Sequence, residues 1–203
     1  MVGMSTRHAL LTLLADGAFH SGTDLGAQLG VTRAAINKAV QALQLTGLEI
    51  HCIPGRGYRL LESLDPLSTD RITGLLVSRD RSLEIEVLES TVSTSQELIG
   101  SDRDFRPGRI CLAEVQLAGR GRRGRHWVAS PYQNIVMSMS WRFETGPAGL
   151  AGLSLAAGTA VIKALEKFGV RGAGLKWPND ILLQGRKLAG LLVDLRGEAA
   201  GPA

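Results

Sequence analysis

The chain has 203 residues, 44% hydrophobic and 21% charged, with a formal net charge of +4. That length suits one large domain or a small one plus a medium one, and the apolar share builds a core, which excludes an intrinsically disordered chain. The longest apolar runs fall short of a bilayer span, the N-terminus carries no signal-peptide pattern, and neither Cys52 and Cys111 nor the four histidines (His8, His20, His51, His126) have metal-ligand spacing, so a cytoplasmic protein with no membrane partner and no zinc is expected.

The first 64 residues read as a compact helical unit closed by a hairpin. Ser5 or Thr6 can cap a first helix carrying Leu10, Leu11, Leu13 and Leu14, and Gly17 can end it. Ser21-Gly22-Thr23-Asp24 resembles a capping box with Asp in place of Glu, opening a short helix through Leu25 and Leu29. Gly30-Val31-Thr32 is a tight turn, with Thr32 capping a third helix from Arg33 to about Leu45.

Ile36, Val40 and Leu43 face inward at i, i+4 and i+7. Arg33, Asn37, Gln41 and Gln44 form a second, polar stripe, with Lys38 beside it. Such donors and acceptors suit base edges in the major groove, and the pair of helices reads as a helix-turn-helix within Gly22 to Gln41. Two short strands, Leu48–Ile53 and Tyr58–Leu61, flank the turn Pro54-Gly55-Arg56-Gly57, a wing with Arg56 placed to meet a phosphate. The segment's charge is only +1, too little for strong non-specific DNA affinity without a dimer or neighbouring fields. Asp65-Pro66 marks the boundary between a winged helix-turn-helix domain, 1–64, and a second domain, 65–203.

Positive charge concentrates later in the chain: residues 65–110 carry −3, residues 111–150 carry +3 and residues 151–203 carry +3. That pattern fits a local anion better than a uniform nucleic-acid coat. Strands are expected at Leu83–Leu88, Arg109–Val115, Asn134–Trp141, Gly174–Trp177, Ile181–Leu183 and Leu188–Leu195. A helix is expected from Gly149 to Phe168. Hairpin-sized links between several strands predict a mixed α+β sheet rather than a doubly wound parallel one.

Between them, residues 119–125 hold four arginines and three glycines without an acid. Such a run is expected to be a mobile loop without regular structure, rich in the groups that hold phosphate and carboxylate oxygens. Gly119, Gly121 and Gly124 match G-x-G-x-x-G, but bulky arginines fill the gaps and no helix follows, so a Rossmann site is rejected.

Glu114 to Arg125, Lys176-Trp177-Pro178-Asn179-Asp180 and Arg186-Lys187-Leu188-Ala189-Gly190 resemble, in that order, the signatures of biotin–protein ligases. With the winged helix in front, the chain resembles the bifunctional ligases that also repress biotin-synthesis genes. A lipoate ligase shares the catalytic fold but neither the arginine loop nor the DNA-binding domain. The resemblance implies a class II synthetase-like catalytic domain that joins biotin to ATP, with Mg²⁺, as biotinyl-5′-AMP. It then passes biotin to a lysine of a biotin carboxyl carrier protein. Operator DNA and a ligand-dependent homodimer are the further partners implied.

The resemblance assigns Lys187, Lys176 and Arg122 to catalysis. Ser93, Thr94, Ser95, Gln116, Arg120, Gly121, Arg122 and Lys187 go to biotin, and Arg120, Arg122, Arg123, Trp127, Lys176 and Asn179 to the nucleotide. Asp180 and Asn179 offer oxygens to Mg²⁺, although Asn-Asp after proline is also a common turn. Ser95 stands where the family has asparagine. Ser90-Thr91 is a second Ser-Thr pair; Ser93-Thr94-Ser95 is preferred because Gln96-Glu97-Leu98 continues like the family helix. The resemblance runs to about Leu195, and the tail 196–203 has no core signal, so the catalytic domain is expected to lack its C-terminal part. A non-enzymatic, ligand-sensing transcription factor is the alternative reading.

Overall fold

The computed structural model describes residues 5–76, 83–99 and 105–195, so the tail 196–203 lies outside the described residues. The chain divides into two compact units, one of Met1–Gly119 with Trp127–Ser140, the other of Arg120–His126 with Trp141–Ala203.

The first unit opens with three helices, α1 (Thr6–Leu14), α2 (Gly22–Leu29) and α3 (Arg33–Leu45). Each begins where a hydroxyl captures an otherwise unpaired amide. Ser5 accepts from the His8 N–H at 3.2 Å, Ser21 from Asp24 at 3.1 Å and Thr32 from Ala35 at 3.2 Å. Between α2 and α3 the backbone turns so tightly that a methyl on Gly26 would lie 2.7 Å from the Val31 carbonyl oxygen. Gly30 closes α2 in the left-handed conformation. Strands β1 (Ile50–Ile53) and β2 (Gly57–Leu60) pair antiparallel as the wing.

Leu10, Leu11, Leu14, Leu25, Ile36, Val40, Leu43 and Leu60 are buried together, which bears out the inward stripes read from the sequence. One member of that core comes from far along the chain: Tyr132, at φ 60°.

The rest of this unit is a mixed three-stranded sheet in the order β3 (Glu84–Thr91), β4 (Arg109–Gln116), β7 (Val136–Met139). β3 and β4 run parallel, β4 and β7 antiparallel. Helix α4 (Thr69–Leu76) packs on β3, and the short α5 (Thr94–Leu98) packs on β4 and β7. Glu89 on β3 binds the start of α1, taking the Ser5 hydroxyl and the Arg7 guanidinium, the latter at 2.9 Å.

The arginine-rich stretch departs from the expected irregular loop. It is a β-hairpin, β5 (Gly119–Arg120) with β6 (His126–Trp127), joined by a 3-10 turn at Arg122–Gly124. The glycines make this possible rather than preventing it. Gly119 lies where a side chain would meet the Trp127 carbonyl oxygen at 2.4 Å, and Gly124 adopts φ 72°. The Gly121 N–H donates to the Arg125 carbonyl at 2.7 Å.

In the second unit, α6 (Leu153–Lys167) packs on an antiparallel sheet β8 (Ala173–Lys176), β9 (Asp180–Leu183), β10 (Arg186–Gly190), in the order β10-β9-β8. Gly158 is the contact point: a methyl there would sit 2.5 Å from Leu175 Cδ2 and 3.6 Å from Leu191. The expected helix from Gly149 starts later, because Pro147–Leu150 forms a separate 3-10 turn and Gly152 caps α6. The expected strand to Leu195 ends at Gly190. The stretch Ala148–Lys167 is, by length and composition, long and apolar enough to cross a membrane, contrary to the sequence expectation. Its seat on Leu175 and Leu191 is that of a helix covering a sheet.

Candidate functional site

In the first unit, Ser93 caps the backbone start of α5 and Thr94 is its first residue; both are buried. The Thr94 N–H donates to Gln116 Oε1 at 2.9 Å, and the Thr94 hydroxyl lies 3.2 Å from the same oxygen and 2.8 Å from Ser138 Oγ. Ser93 and Ser95 share a hydrogen bond of 3.0 Å. The end of β4 and the start of α5 thus present hydroxyls and an amide side by side, a set that can both donate to and accept from a planar, neutral polar group.

The rival pair is placed differently. Thr91 is buried on β3 with its hydroxyl on Glu97. Ser138 was not anticipated. Its signal was the alternation of Ser138 and Ser140 with Met137 and Met139, which puts small polar groups on one face of β7.

Burial sets the electrostatics behind this group. The Cys111 thiol on β4 is pushed up to about 11 by desolvation, with Glu86 and Glu97 adding to it, so it stays a neutral core residue. Glu114, two residues before Gln116, is buried with one oxygen accepting from the Leu67 N–H at 2.5 Å; desolvation raises its carboxyl above the ordinary value.

In the second unit, the three motif segments come together. Lys187 Nζ on β10 lies 2.7 Å from Asp180 Oδ1 on β9. Asn179, just before Asp180, links two other segments: its amide donates to the Leu191 carbonyl at 2.7 Å, and its oxygen receives Arg122 Nη1 at 3.4 Å. Arg120 Nη2 reaches Asp194 Oδ2 at 2.9 Å. The Trp177–Pro178 peptide bond is cis, and Lys176 at the end of β8 pairs in register with Asp180 and is exposed. Gly121, Arg123 and Trp127 lie on the same hairpin; Arg123 is exposed at φ 57°. Asp194 was missed by the sequence reading, its signal being a lone acid in the run Leu191–Leu195.

The expected Mg²⁺ oxygens are already engaged, Asp180 Oδ1 by Lys187 and Asn179 Oδ1 by Arg122. Among the described residues no group of three His, Cys, Asp or Glu side chains gathers to hold a metal ion.

On the helix-turn-helix, Arg33, Asn37, Lys38 and Gln41 are exposed on α3 and Arg56 on the wing. Asn37 Nδ2 reaches the Tyr58 hydroxyl at 3.3 Å, tying α3 to β2. Gln44 is also exposed on α3, but its amide is tied back to the wing, donating to the Ile50 carbonyl at 2.9 Å.

Residues 6–59 match an HTH domain family, and residues 85–201 match the Biotin/lipoate A/B protein ligase family. The chain belongs to the biotin/lipoate A/B protein ligase family. It is 46% identical over 194 residues to the bifunctional ligase/repressor BirA of Salmonella typhimurium, covering 96% of this chain and 59% of that relative. The BirA of Bacillus subtilis is 32% identical over 187 residues, 91% of this chain and 57% of its own. The biotin–[acetyl-CoA-carboxylase] ligase of Mycobacterium tuberculosis is 41% identical over 121 residues, 55% of this chain and 44% of its own. Among solved structures, a biotin acetyl coenzyme A carboxylase synthetase from Helicobacter pylori aligns with TM-score 0.46 at 26% identity, over 56% of each chain. The chain thus spans little more than half the length of the two BirA relatives. It joins a helix-turn-helix to a mixed-sheet ligase domain, as the sequence predicted.

Proposed function

We propose that this chain serves as an ATP-dependent biotin–protein ligase and as a DNA-binding repressor of biotin-synthesis genes. The observation that carries the ligase reading is the convergence, within one unit, of the arginine hairpin with Asn179-Asp180 and Lys187. Arg120 and Lys187 sit on paired strands and Arg122 in the hairpin turn, an arrangement suited to meeting developing negative charge.

In this reading an oxygen of the biotin carboxylate attacks the α-phosphorus of ATP, and the bond to the β-phosphate oxygen breaks to release pyrophosphate. The amine of an acceptor lysine then attacks the acyl carbon, and AMP leaves. Ser93, Thr94, Ser95 and Gln116 take the ureido ring. Lys187, kept oriented by Asp180, meets the carboxylate and the new acyl-phosphate bond together with Arg120, Gly121 and Arg122. Lys176, Arg123, Trp127 and Asn179 serve the nucleotide. The protein donors do not fit a resident Mg²⁺ cage, so Mg²⁺ enters only as the ion carried by the nucleotide phosphates.

The domain boundary is placed at 64/65. A carboxyl carrier protein is the acceptor, a ligand-dependent homodimer the DNA-binding species, and the cytoplasm the place where both partners are met. Arg33, Asn37, Lys38 and Gln41 face the bases, with Arg56 on the backbone. Pyrophosphate release from the purified chain with biotin and ATP tests the enzyme. Dependence on both substrates, lost in Lys187→Ala, is expected. DNA binding that responds to biotin without any pyrophosphate release would replace the enzyme with a ligand-sensing regulator.

A further inference from the structure

The loop before α2 carries an aromatic ring that holds two cations. Arg56 Cζ lies 4.3 Å from the centroid of the Phe19 ring and Arg59 Cζ lies 5.5 Å from it, both within cation–π range. The ring is fixed against the wing by backbone. His20 N–H donates to the Tyr58 carbonyl and Tyr58 N–H to the His20 carbonyl, each at 2.9 Å. Gly57 permits this approach, since any β-carbon there would sit 2.0 Å from the His20 carbonyl oxygen.

Two like charges on one ring ordinarily recruit a carboxylate. The acid of the same loop is engaged elsewhere: Asp16 accepts from the Ala18 N–H at 2.9 Å and contacts His20 Nε2 at 2.9 and 3.0 Å. Among the described residues neither Arg56 nor Arg59 forms an ion pair with an acid, and Arg59 Nε is buried without a hydrogen-bond partner. The site is assembled, positive and short of an anion.

We propose that Arg56, Arg59 and Phe19 form a preassembled clamp for two phosphates of a DNA duplex, with Arg59 a second backbone contact and Phe19 the positioning residue that stacks both guanidinium groups. This rests on the DNA-binding reading of the helix-turn-helix and adds to it a residue on β2 outside the turn. Stacking limits the freedom each arginine must lose on binding, and backbone contacts contribute salt-dependent affinity without sequence preference.

The test is duplex binding by the full chain between about 50 and 200 mM salt, using a labelled duplex of arbitrary sequence. Removing one arginine–phosphate pair lowers the slope of log affinity against log salt by about 0.9 per protomer. Arg59→Ala and Arg56→Ala should each show that decrease, and the double variant about twice it. Arg59→Lys should restore most of the slope but not the full affinity, because an ammonium does not stack as a planar fork. Phe19→Leu keeps both charges and should keep the slope while weakening binding about 5-fold. Circular dichroism identifies any variant that fails to fold, and the Arg59→Lys comparison decides should Phe19→Leu do so. A parent that binds duplex with a salt slope unchanged in Arg59→Ala overturns the clamp alone. A parent that does not bind duplex at all overturns the DNA-binding reading with it.

Discussion

A methyl group on Gly119 would lie 2.4 Å from the Trp127 carbonyl oxygen and 2.7 Å from Gln116 Nε2. Gly119→Ala must therefore open the hairpin or displace the amide that sits on Thr94. We expect biotin affinity to fall by at least an order of magnitude, about 1.4 kcal/mol or more, as read by calorimetry; unchanged affinity would remove Gln116 from the binding role. Gly74 is the contrasting case, within the last turn of α4 with open space around it. Gly74→Ala should stabilise by about 0.5–1 kcal/mol in denaturant unfolding. Glu114 offers a test by pH. Burial raises its carboxyl above the ordinary 4.5, so the folded state binds this proton more tightly than the unfolded chain. Its contribution to stability then falls as pH rises from 4.5 through the raised value, and the cost is fully present above it. Glu114→Gln keeps an oxygen for the Leu67 N–H and removes the charge. The Tm advantage of the variant should grow from about pH 4 to about pH 8, by about 2–4 °C for each 1 kcal/mol recovered. A constant difference across that range would show that Glu114 does not titrate as described.

Caps and hairpins carry the next set of expectations. Thr32 accepts the Ala35 N–H at the start of the helix that bears Arg33, Asn37 and Gln41. Thr32→Ala should cost about 0.5–2 kcal/mol and weaken DNA binding without changing which sequence is preferred, measured by thermal melting beside a binding titration. The hairpin Arg120–Arg125 presents arginine after arginine to trypsin. Saturating biotinyl-5′-AMP should slow cleavage there, and an equal rate with and without it would count against a role in holding the adenylate. The elements themselves were largely legible. The leucines of α1, the Ile36–Val40–Leu43 stripe and the hydroxyl caps depend on local spacing, and local spacing survives folding. The arginine run was not legible as a hairpin, because glycine argues against strands in general and only the close approach of Trp127 to Gly119 makes it necessary there. The bond from Gln44 to Ile50 was not legible for a related reason, since a helix face read from sequence does not show that β1 comes within reach of it. Thr94 and Gln116 were singled out through motif resemblance, whereas the contact of Ser138 with Thr94 needed the register of β4 against β7.

Within the first unit, the helix-turn-helix and the β3-β4-β7 sheet share more than a linker. Glu89 holds Ser5 and Arg7, Gln133 Nε2 reaches Glu62 at 2.9 Å, and Tyr132 is buried among the leucines of the helix-turn-helix core. We expect these parts to melt in one transition. Far-ultraviolet ellipticity and the fluorescence of a tryptophan placed at Phe19 should give coincident midpoints, and an earlier, separate loss of α1–α3 would show that they are independent.

The tyrosine in that core also bears on how such a protein can be recombined. A cut at 64/65 looks like a clean seam between two modules, but the first module does not own all of its interior. Spliced there onto a foreign partner, the helix-turn-helix would leave behind a ring that fills space among its leucines, and the remainder of this chain would keep an orphaned tyrosine on a left-handed turn. A transplant that takes the short stretch 130–134 along with residues 1–64 keeps the pieces that were made for each other.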